Sequence, residues 1–116
     1  MSTGLWGYGN AEGYSAGSDL TGFRVEAEDG HIGKVDKHTD EVDSSHIVVD
    51  TGPWIFGREV LLPAGTIQRV DVEGKTVWVN RTKEEIKNSP EFYRDRHLDD
   101  PEYRAQVGGY YGGGIF

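Results

Sequence analysis

The chain has 116 residues, which is enough for one domain of ordinary size. It carries 20 Asp and Glu residues against 12 Lys and Arg, a formal net charge of -8, which argues against electrostatic binding to nucleic acid or to anionic lipid. It contains no cysteine, which excludes disulfides, thiolate catalysis and cysteine-ligated metal sites, and no apolar run approaches the roughly 20 residues of a membrane-spanning helix.

The first residues of the sequence are rich in glycine and aromatic side chains, and so are the last. Five of the 17 glycines fall within residues 1–18 and five more within residues 108–116, and seven of the 13 aromatic residues lie outside residues 20–95. We expect flexible tails, because glycine leaves the backbone loose, although the aromatic side chains leave open that the tails dock on their own domain or on another copy. The N-terminal tail has neither the basic nor the apolar segment of a signal peptide, so we expect a cytoplasmic protein.

Two strands and a tight turn are predicted first. Residues 23–28 alternate apolar and charged side chains, which is the period-two pattern of a half-buried strand. The pair Asp29 and Gly30 follows at once and is typical of a type I′ hairpin turn, in which both central residues have positive φ. Residues 32–37 are then predicted to form the return strand.

Four more strands are predicted in the next part of the chain, at residues 46–50, 58–62, 67–72 and 75–79. The first is a short β-branched run, typical of a buried strand, and Pro63 ends the second. Glu73 and Gly74 form a tight turn between the last two, which predicts a second hairpin.

The periodicity then changes to that of helices. A short helix is predicted to begin after Thr82, because Thr82 and Glu85 have the spacing of a capping box. A second short helix is predicted with Pro101 at its first position, and it should end at Gly108 and Gly109, where a C-terminal cap glycine is expected.

The segment between the two helices and the second helix itself are rich in charges of both signs. A few apolar side chains interrupt these charges, so we expect the segment to lie across the domain with one apolar face. Phe92 and Tyr93 are predicted to be its most buried side chains.

Six short strands with tight turns predict an all-β fold, namely a small, highly bent, antiparallel six-stranded β-barrel. A short C-terminal helical segment and Gly/Tyr-rich flexible tails complete the prediction. The predicted parts are an N-terminal tail at residues 1–18, the barrel at residues 19–93, and the charged helical segment with the C-terminal tail at residues 94–116. Because so short a strand-rich segment buries only a thin core, we expect the protein to pair with itself.

The order of these signals resembles the PRC-barrel family. In chain order, the segments that carry the resemblance are residues 20–22 (LTG), 29–35 (DGHIGKV), 47–50 (IVVD), 60–64 (VLLPA) and 82–93 (TKEEIKNSPEFY). The resemblance implies a bent antiparallel barrel and a non-catalytic role. The family includes the cytoplasmic domain of the photosynthetic reaction-centre H subunit and the C-terminal domain of the ribosome-maturation factor RimM, which contacts a ribosomal protein, so a docking role is what it implies here.

The loop of residues 53–58 (PWIFGR) is the most informative feature for function. Three consecutive large apolar side chains cannot all be buried on one face of a strand, so something must cover at least one of them. The cover is the barrel mouth or the C-terminal helical tail, a second copy, or another protein. The predicted partner or self-association site consists of Trp54, Ile55, Phe56 and Arg58, together with Tyr93.

An acidic cluster is the candidate metal site. It consists of Asp36, Asp40, Glu41 and Asp43, and hard cations prefer several oxygen ligands around one point. The cluster does not match the pattern of an EF-hand loop, and a solvated acidic loop is the alternative. No histidine or carboxylate occurs in a context that favours catalysis, so the sequence predicts neither an enzyme nor a cofactor.

These features, with the resemblance, predict a non-catalytic protein–protein interaction module. We expect it to associate with itself, as a homodimer or a higher assembly, and to dock on another protein, whose surface would be basic to complement the acidic chain. One alternative is a structural or stress-response protein that assembles through its Gly/Tyr-rich tails. A second is a protein that binds a metal or a small ligand at residues 36–50. Binding to nucleic acid and insertion into a membrane are not expected.

Overall fold

The computed structural model of the chain describes residue 13 and residues 19–39, 45–52, 59–90, 92–93 and 100–111, with only the backbone for residues 37–39. Within these ranges the chain forms one six-stranded sheet, one short 3-10 helix and two α-helices. The strands are β1 (Arg24–Ala27), β2 (Gly30–Thr39), β3 (His46–Asp50), β4 (Glu59–Pro63), β5 (Ile67–Asp71) and β6 (Thr76–Val79), and the helices are the 3-10 helix Ala64–Thr66, α1 (Lys83–Lys87) and α2 (Pro101–Tyr111). The predicted fold class, mainly β with six strands and a C-terminal helix, is confirmed.

The strands lie side by side in the order β4-β3-β2-β1-β6-β5. Neighbouring strands are antiparallel except for β1 and β6, which run parallel. We expected every pair of neighbouring strands to be antiparallel, and the β1–β6 pair departs from this prediction. The parallel pair arises because the chain does not reverse direction between β4 and β5, as it would in a hairpin. β5 therefore runs in the same direction as β4, and β6, which is antiparallel to β5, runs in the direction of β1.

The sheet curls into a half-barrel because its two edge strands follow each other in the chain. β4 and β5 lie at opposite ends of the strand order, yet only the three residues of the 3-10 helix Ala64–Thr66 join them. The pairing register also shifts at Ile32 and Asp36 in β2 and at Gln68 in β5, and such bulges bend a strand and increase its twist. The curl therefore brings the end of β4 and the start of β5 together at the 3-10 helix, which forms a corner of the sheet.

The core lies inside the curl and continues under the helices. In β6, Val77 and Val79 are buried whereas Thr76 and Trp78 are only half-buried, which is the alternation of a strand with one face toward solvent. In β3 and β4, by contrast, consecutive apolar residues are all buried. Helix α2 contacts β4, so this part of the sheet is covered on both faces.

The first hairpin forms as predicted, but its turn is not the expected one. Ala27 pairs with Gly30, so the loop consists of Glu28 and Asp29, and neither residue has a positive φ. The type I′ turn predicted at Asp29 and Gly30 is therefore wrong. The Asp29 carboxylate instead accepts a 2.8 Å hydrogen bond from the backbone N–H of Lys83, which ties this turn to the first turn of α1.

The helix starts were predicted correctly and one helix end was not. The capping box forms at α1, where the Thr82 hydroxyl accepts from the backbone N–H of Glu85 and the Glu85 carboxylate accepts from that of Thr82. Helix α2 begins at Pro101 as predicted, but it continues through Gly108 and Gly109 to Tyr111. Gly108 is buried, and burial against the rest of the protein favours a helix over the local preference of glycine to end one. Neither α1 nor α2 has the length and hydrophobicity that a bilayer crossing requires.

Candidate docking face

The predicted docking loop lies outside the described residues, but the structure shows where it starts and ends. Trp54, Ile55, Phe56 and Arg58 belong to residues 53–58, which join β3 to β4. Asp50 at the end of β3 pairs with Glu59 at the start of β4, so the loop leaves and re-enters the sheet at one point.

Tyr93, the C-terminal member of the predicted site, lies near the same point of the sheet. Glu59 forms an isolated antiparallel bridge with Phe92, so Tyr93 lies next to the base of the loop. Phe92 is buried as predicted, with its ring centre 5.7 Å from that of Tyr103. The predicted burial of Tyr93 is wrong, because 47% of its surface is exposed, and successive residues of an extended segment point to opposite sides.

The predicted metal site is described only in part. Asp36 is exposed on β2, whereas Asp40, Glu41 and Asp43 lie outside the described residues. Among the residues that the structure does describe, no three potential ligands are close enough together to hold a metal ion.

A row of four side chains crosses the solvent-facing side of the sheet. Arg69 on β5 pairs with Trp78 on β6, Trp78 pairs with Glu26 on β1, and Glu26 pairs with His31 on β2. Directly paired residues share one face of a sheet, so these side chains form a continuous line, which we call the Trp78 row.

Direct side-chain contacts connect the Trp78 row in two pairs, Arg69 with Trp78 and Glu26 with His31. The Arg69 guanidinium carbon lies 4.8 Å from the centre of the Trp78 ring, which is a cation–π contact. His31 Nδ1 lies 2.6 Å from the Glu26 carboxylate, and Arg24 approaches the same carboxylate at 3.5 Å. Trp78 is half-buried, whereas 46% of the His31 side chain is exposed. The row is therefore ordered by its own contacts and accessible from solvent.

A cavity of about 390 Å³ adjoins the row where β2 meets the end of β3. It is lined by His31, Ile32, Gly33, Lys34, Asp50, Thr51 and Gly52. A Cβ atom on Gly33 would overlap the Asp50 carbonyl oxygen, so only glycine lets the two strands approach as they do. Because His31 belongs to the row and also lines the cavity, the two form one surface, which we call the docking face.

Sequence reasoning did not select Trp78 as a site residue. The signal was present in the segment TVWV, where alternation turns Val77 and Val79 inward and leaves the Trp78 ring on the solvent side. A large aromatic side chain at an outward strand position is a candidate interface residue, because tryptophan is enriched at the energetic centres of protein interfaces. Arg69 lies on the other strand of the predicted hairpin, but the neighbour Glu26 was not predictable, because β1 and β6 are distant in the sequence.

Two tyrosines with shifted pKa values lie in α2 rather than on the docking face. Burial raises the pKa of Tyr111, and the nearby Ser89 hydroxyl and Arg81 guanidinium offset only part of this rise. Within the described part of the chain, no group meets the geometry of a hydrogen bond to the Tyr111 hydroxyl. The pKa of Tyr110 is also raised, first by partial burial and then by the charges of Glu85 and a neighbouring glutamate.

The family model of the PRC-barrel domain matches residues 12–86, which is more than half of the chain. This chain belongs to the PRC-barrel family. Among solved structures, it is similar to a protein from Pseudomonas aeruginosa described as a 16S ribosomal RNA processing protein, RimM, at 22% identity and a TM-score of 0.48. That match covers 56% of this chain and 42% of the other, so this PRC-barrel chain matches less than half of the length of that protein. No curated protein matches the chain in sequence.

Proposed function

We propose that this PRC-barrel protein is a non-catalytic docking module that acts in the cytoplasm and binds other proteins through its docking face. The single observation that carries the proposal is Trp78, a half-buried aromatic side chain on the solvent side of the sheet, held in place by Arg69. Tryptophan and arginine are the residue types most enriched at the energetic centres of protein interfaces.

The cavity supports the same proposal. Its volume suits one or two side chains of a partner, and it adjoins the Trp78 row through His31. An anchor side chain in a pocket near a tryptophan is a common arrangement of a binding hot spot. We expect the partner to present an apolar anchor and to be basic overall, because the whole chain carries a net charge of -8, which favours the encounter with a basic protein.

A non-catalytic role is supported by the exposure of the titratable groups on this face. The His31 and Glu26 side chains are 46% and 22% exposed, so no water-excluding site encloses them. General acid–base chemistry usually takes place where water is excluded and the reacting groups are held in place. The docking face therefore has the exposed contact surface and the cavity that suit binding to a protein, rather than an enclosed site for catalysis.

Self-association is the second part of the proposal, and we assign it to the loop of residues 53–58 with Tyr93. The bridge between Glu59 and Phe92 supports this assignment, because it brings the exposed Tyr93 side chain to the base of the apolar loop. Apolar side chains that are close together on a surface favour burial against a second molecule.

The experiment compares three tagged proteins by affinity capture from the source cells, read by mass spectrometry. They are the wild type, Trp78→Thr, which removes the ring but keeps a good strand former, and Val72→Thr. Val72 is the matched control because it is 52% exposed and lies outside the docking face, in the turn after β5. We expect one protein to be retained by the wild type and the control, and to be lost about thirtyfold from Trp78→Thr, as for a hot-spot residue.

Sedimentation then tests self-association separately. The variant that combines Trp54→Ser with Phe56→Asp should sediment as a smaller species than the wild type. If Trp78→Thr captures the same proteins as the wild type, docking through this face is wrong. If the double variant sediments like the wild type, self-association through the loop is wrong.

A further inference from the structure

The two edges of the curled sheet have different neighbours. At the β4 edge, Phe92 pairs with Glu59, and α2 contacts the same strand. The bridge at Phe92 therefore covers the start of this edge, whereas α2 packs on a face of the sheet. An open edge strand can pair with another molecule, and proteins commonly cover such edges with a helix or loop.

The neighbour of β5, the other edge strand, is Gly13. A Cβ atom on Gly13 would overlap the carbonyl oxygen of Val70, so the two backbones are in direct contact. The φ of Gly13 is +86°, a conformation that glycine adopts without strain and other residues rarely adopt. Both the contact and the backbone angle therefore require glycine at this position.

The strand beside Gly13 needs a cover. β5 is an edge strand, and beyond its last residue the Val72 side chain is 52% exposed. The corner at Ala64–Thr66 holds the two edges together only at one end of β5, and Val70 lies three residues beyond the start of that strand. Gly13 therefore contacts β5 beyond the end that the corner holds.

We propose that the N-terminal segment, residues 1–18, seats along the outer edge of β5 of its own chain, with Gly13 as the anchor. Seated there, it keeps β5 from adding a strand of a second copy. This inference concerns a surface other than the docking face and does not depend on the proposed function. Each end of the chain would then cover one edge of the sheet, and the glycine-rich composition of the segment would allow the close backbone approach.

The test is hydrogen–deuterium exchange on full-length Gly13→Val, with Gly22→Val as the matched control. Gly22 has nearly the same φ, +87°, but no atom lies within 4 Å of a Cβ built there. The control therefore adds the same backbone strain without the overlap at Val70. We expect peptides from β5 to exchange about tenfold faster in Gly13→Val than in the control, while peptides from β3 exchange alike.

Sedimentation of the same two variants tests the protective role. Gly13→Val should associate increasingly with concentration, whereas Gly22→Val should behave like the wild type. Equal exchange in β5 for the two variants would overturn the inference, as would equal sedimentation. A wild type whose β5 exchange slows as concentration rises would also overturn it, because the cover would then come from a second copy. Gly13→Ala and Gly22→Ala serve as a milder pair if a valine variant does not fold.

Discussion

Arg81 Nη2 donates a 2.7 Å hydrogen bond to the backbone carbonyl of Tyr111, and its guanidinium carbon lies 5.7 Å from the centre of the Tyr111 ring. The two residues are 30 positions apart. Tyr111 is the last residue of α2, and the last carbonyls of a helix have no partner within the helix. A cation there also complements the negative end of the helix dipole. Arg81 therefore holds the end of α2 beside the end of β6.

The first prediction concerns this contact. Arg81→Met keeps much of the side-chain length but removes the hydrogen bond and the charge. We expect it to lower the free energy of unfolding by about 1.5–3 kcal/mol, the range for hydrogen bonds to charged groups, as measured by urea denaturation. We also expect limited proteolysis to cut α2 faster than in the wild type.

Arg24→Met is the control for the loss of a positive charge. The Arg24 side chain is 60% exposed and contacts Glu26 at 3.5 Å, so its removal should cost less than about 1 kcal/mol. If the two variants lose the same stability, the contact between Arg81 and Tyr111 contributes nothing beyond an ordinary surface charge.

The second prediction concerns alkaline pH. Because burial raises the pKa of Tyr111 above its usual 10.0, the folded protein holds this proton more tightly than the unfolded chain does. The resulting stability is complete below pH 10.0 and is lost as the pH rises above it toward the raised pKa. We therefore expect the urea midpoint of the wild type to fall as the pH rises above this value, and to fall less steeply for Tyr111→Phe.

Tyr110→Phe is the comparison for this measurement. The pKa of Tyr110 is raised as well, but its side chain is 38% exposed, so solvent screens the effect. Its replacement should change the alkaline slope less than that of Tyr111. A Tyr111→Phe protein with the alkaline slope of the wild type would show that this buried hydroxyl does not control the transition.

The third prediction concerns the capping box of α1. The Thr82 hydroxyl accepts the N–H of Glu85 at 3.2 Å, and the Glu85 carboxylate accepts the N–H of Thr82 at 3.0 Å. Thr82→Ala removes one of these two bonds and should lower the free energy of unfolding by about 1 kcal/mol in urea denaturation. Thr82→Ser keeps the hydroxyl and should retain most of the wild-type stability. An equal loss in both variants would assign the effect to the methyl group rather than to the cap.

Local patterns predicted the elements because the forces that form them act between near neighbours. The alternation in β6 distinguishes Val77 from its immediate neighbour Trp78, and the capping box joins residues three apart. The same reasoning failed at the end of α2. There the preference of Gly108 to end a helix was outweighed by its burial and by the anchor from Arg81, which is distant in sequence.

The sequence by itself determined the number and order of the strands, the starts of the helices, and the family to which the chain belongs. These features depend on residue type and on spacing over a few positions. Only the tertiary structure decided that β1 and β6 pair in parallel, that Trp78 lies between Arg69 and Glu26, and that Gly13 meets the edge of β5. Such contacts join residues far apart in the chain, and which of them form depends on how the whole sheet curls to bury its core.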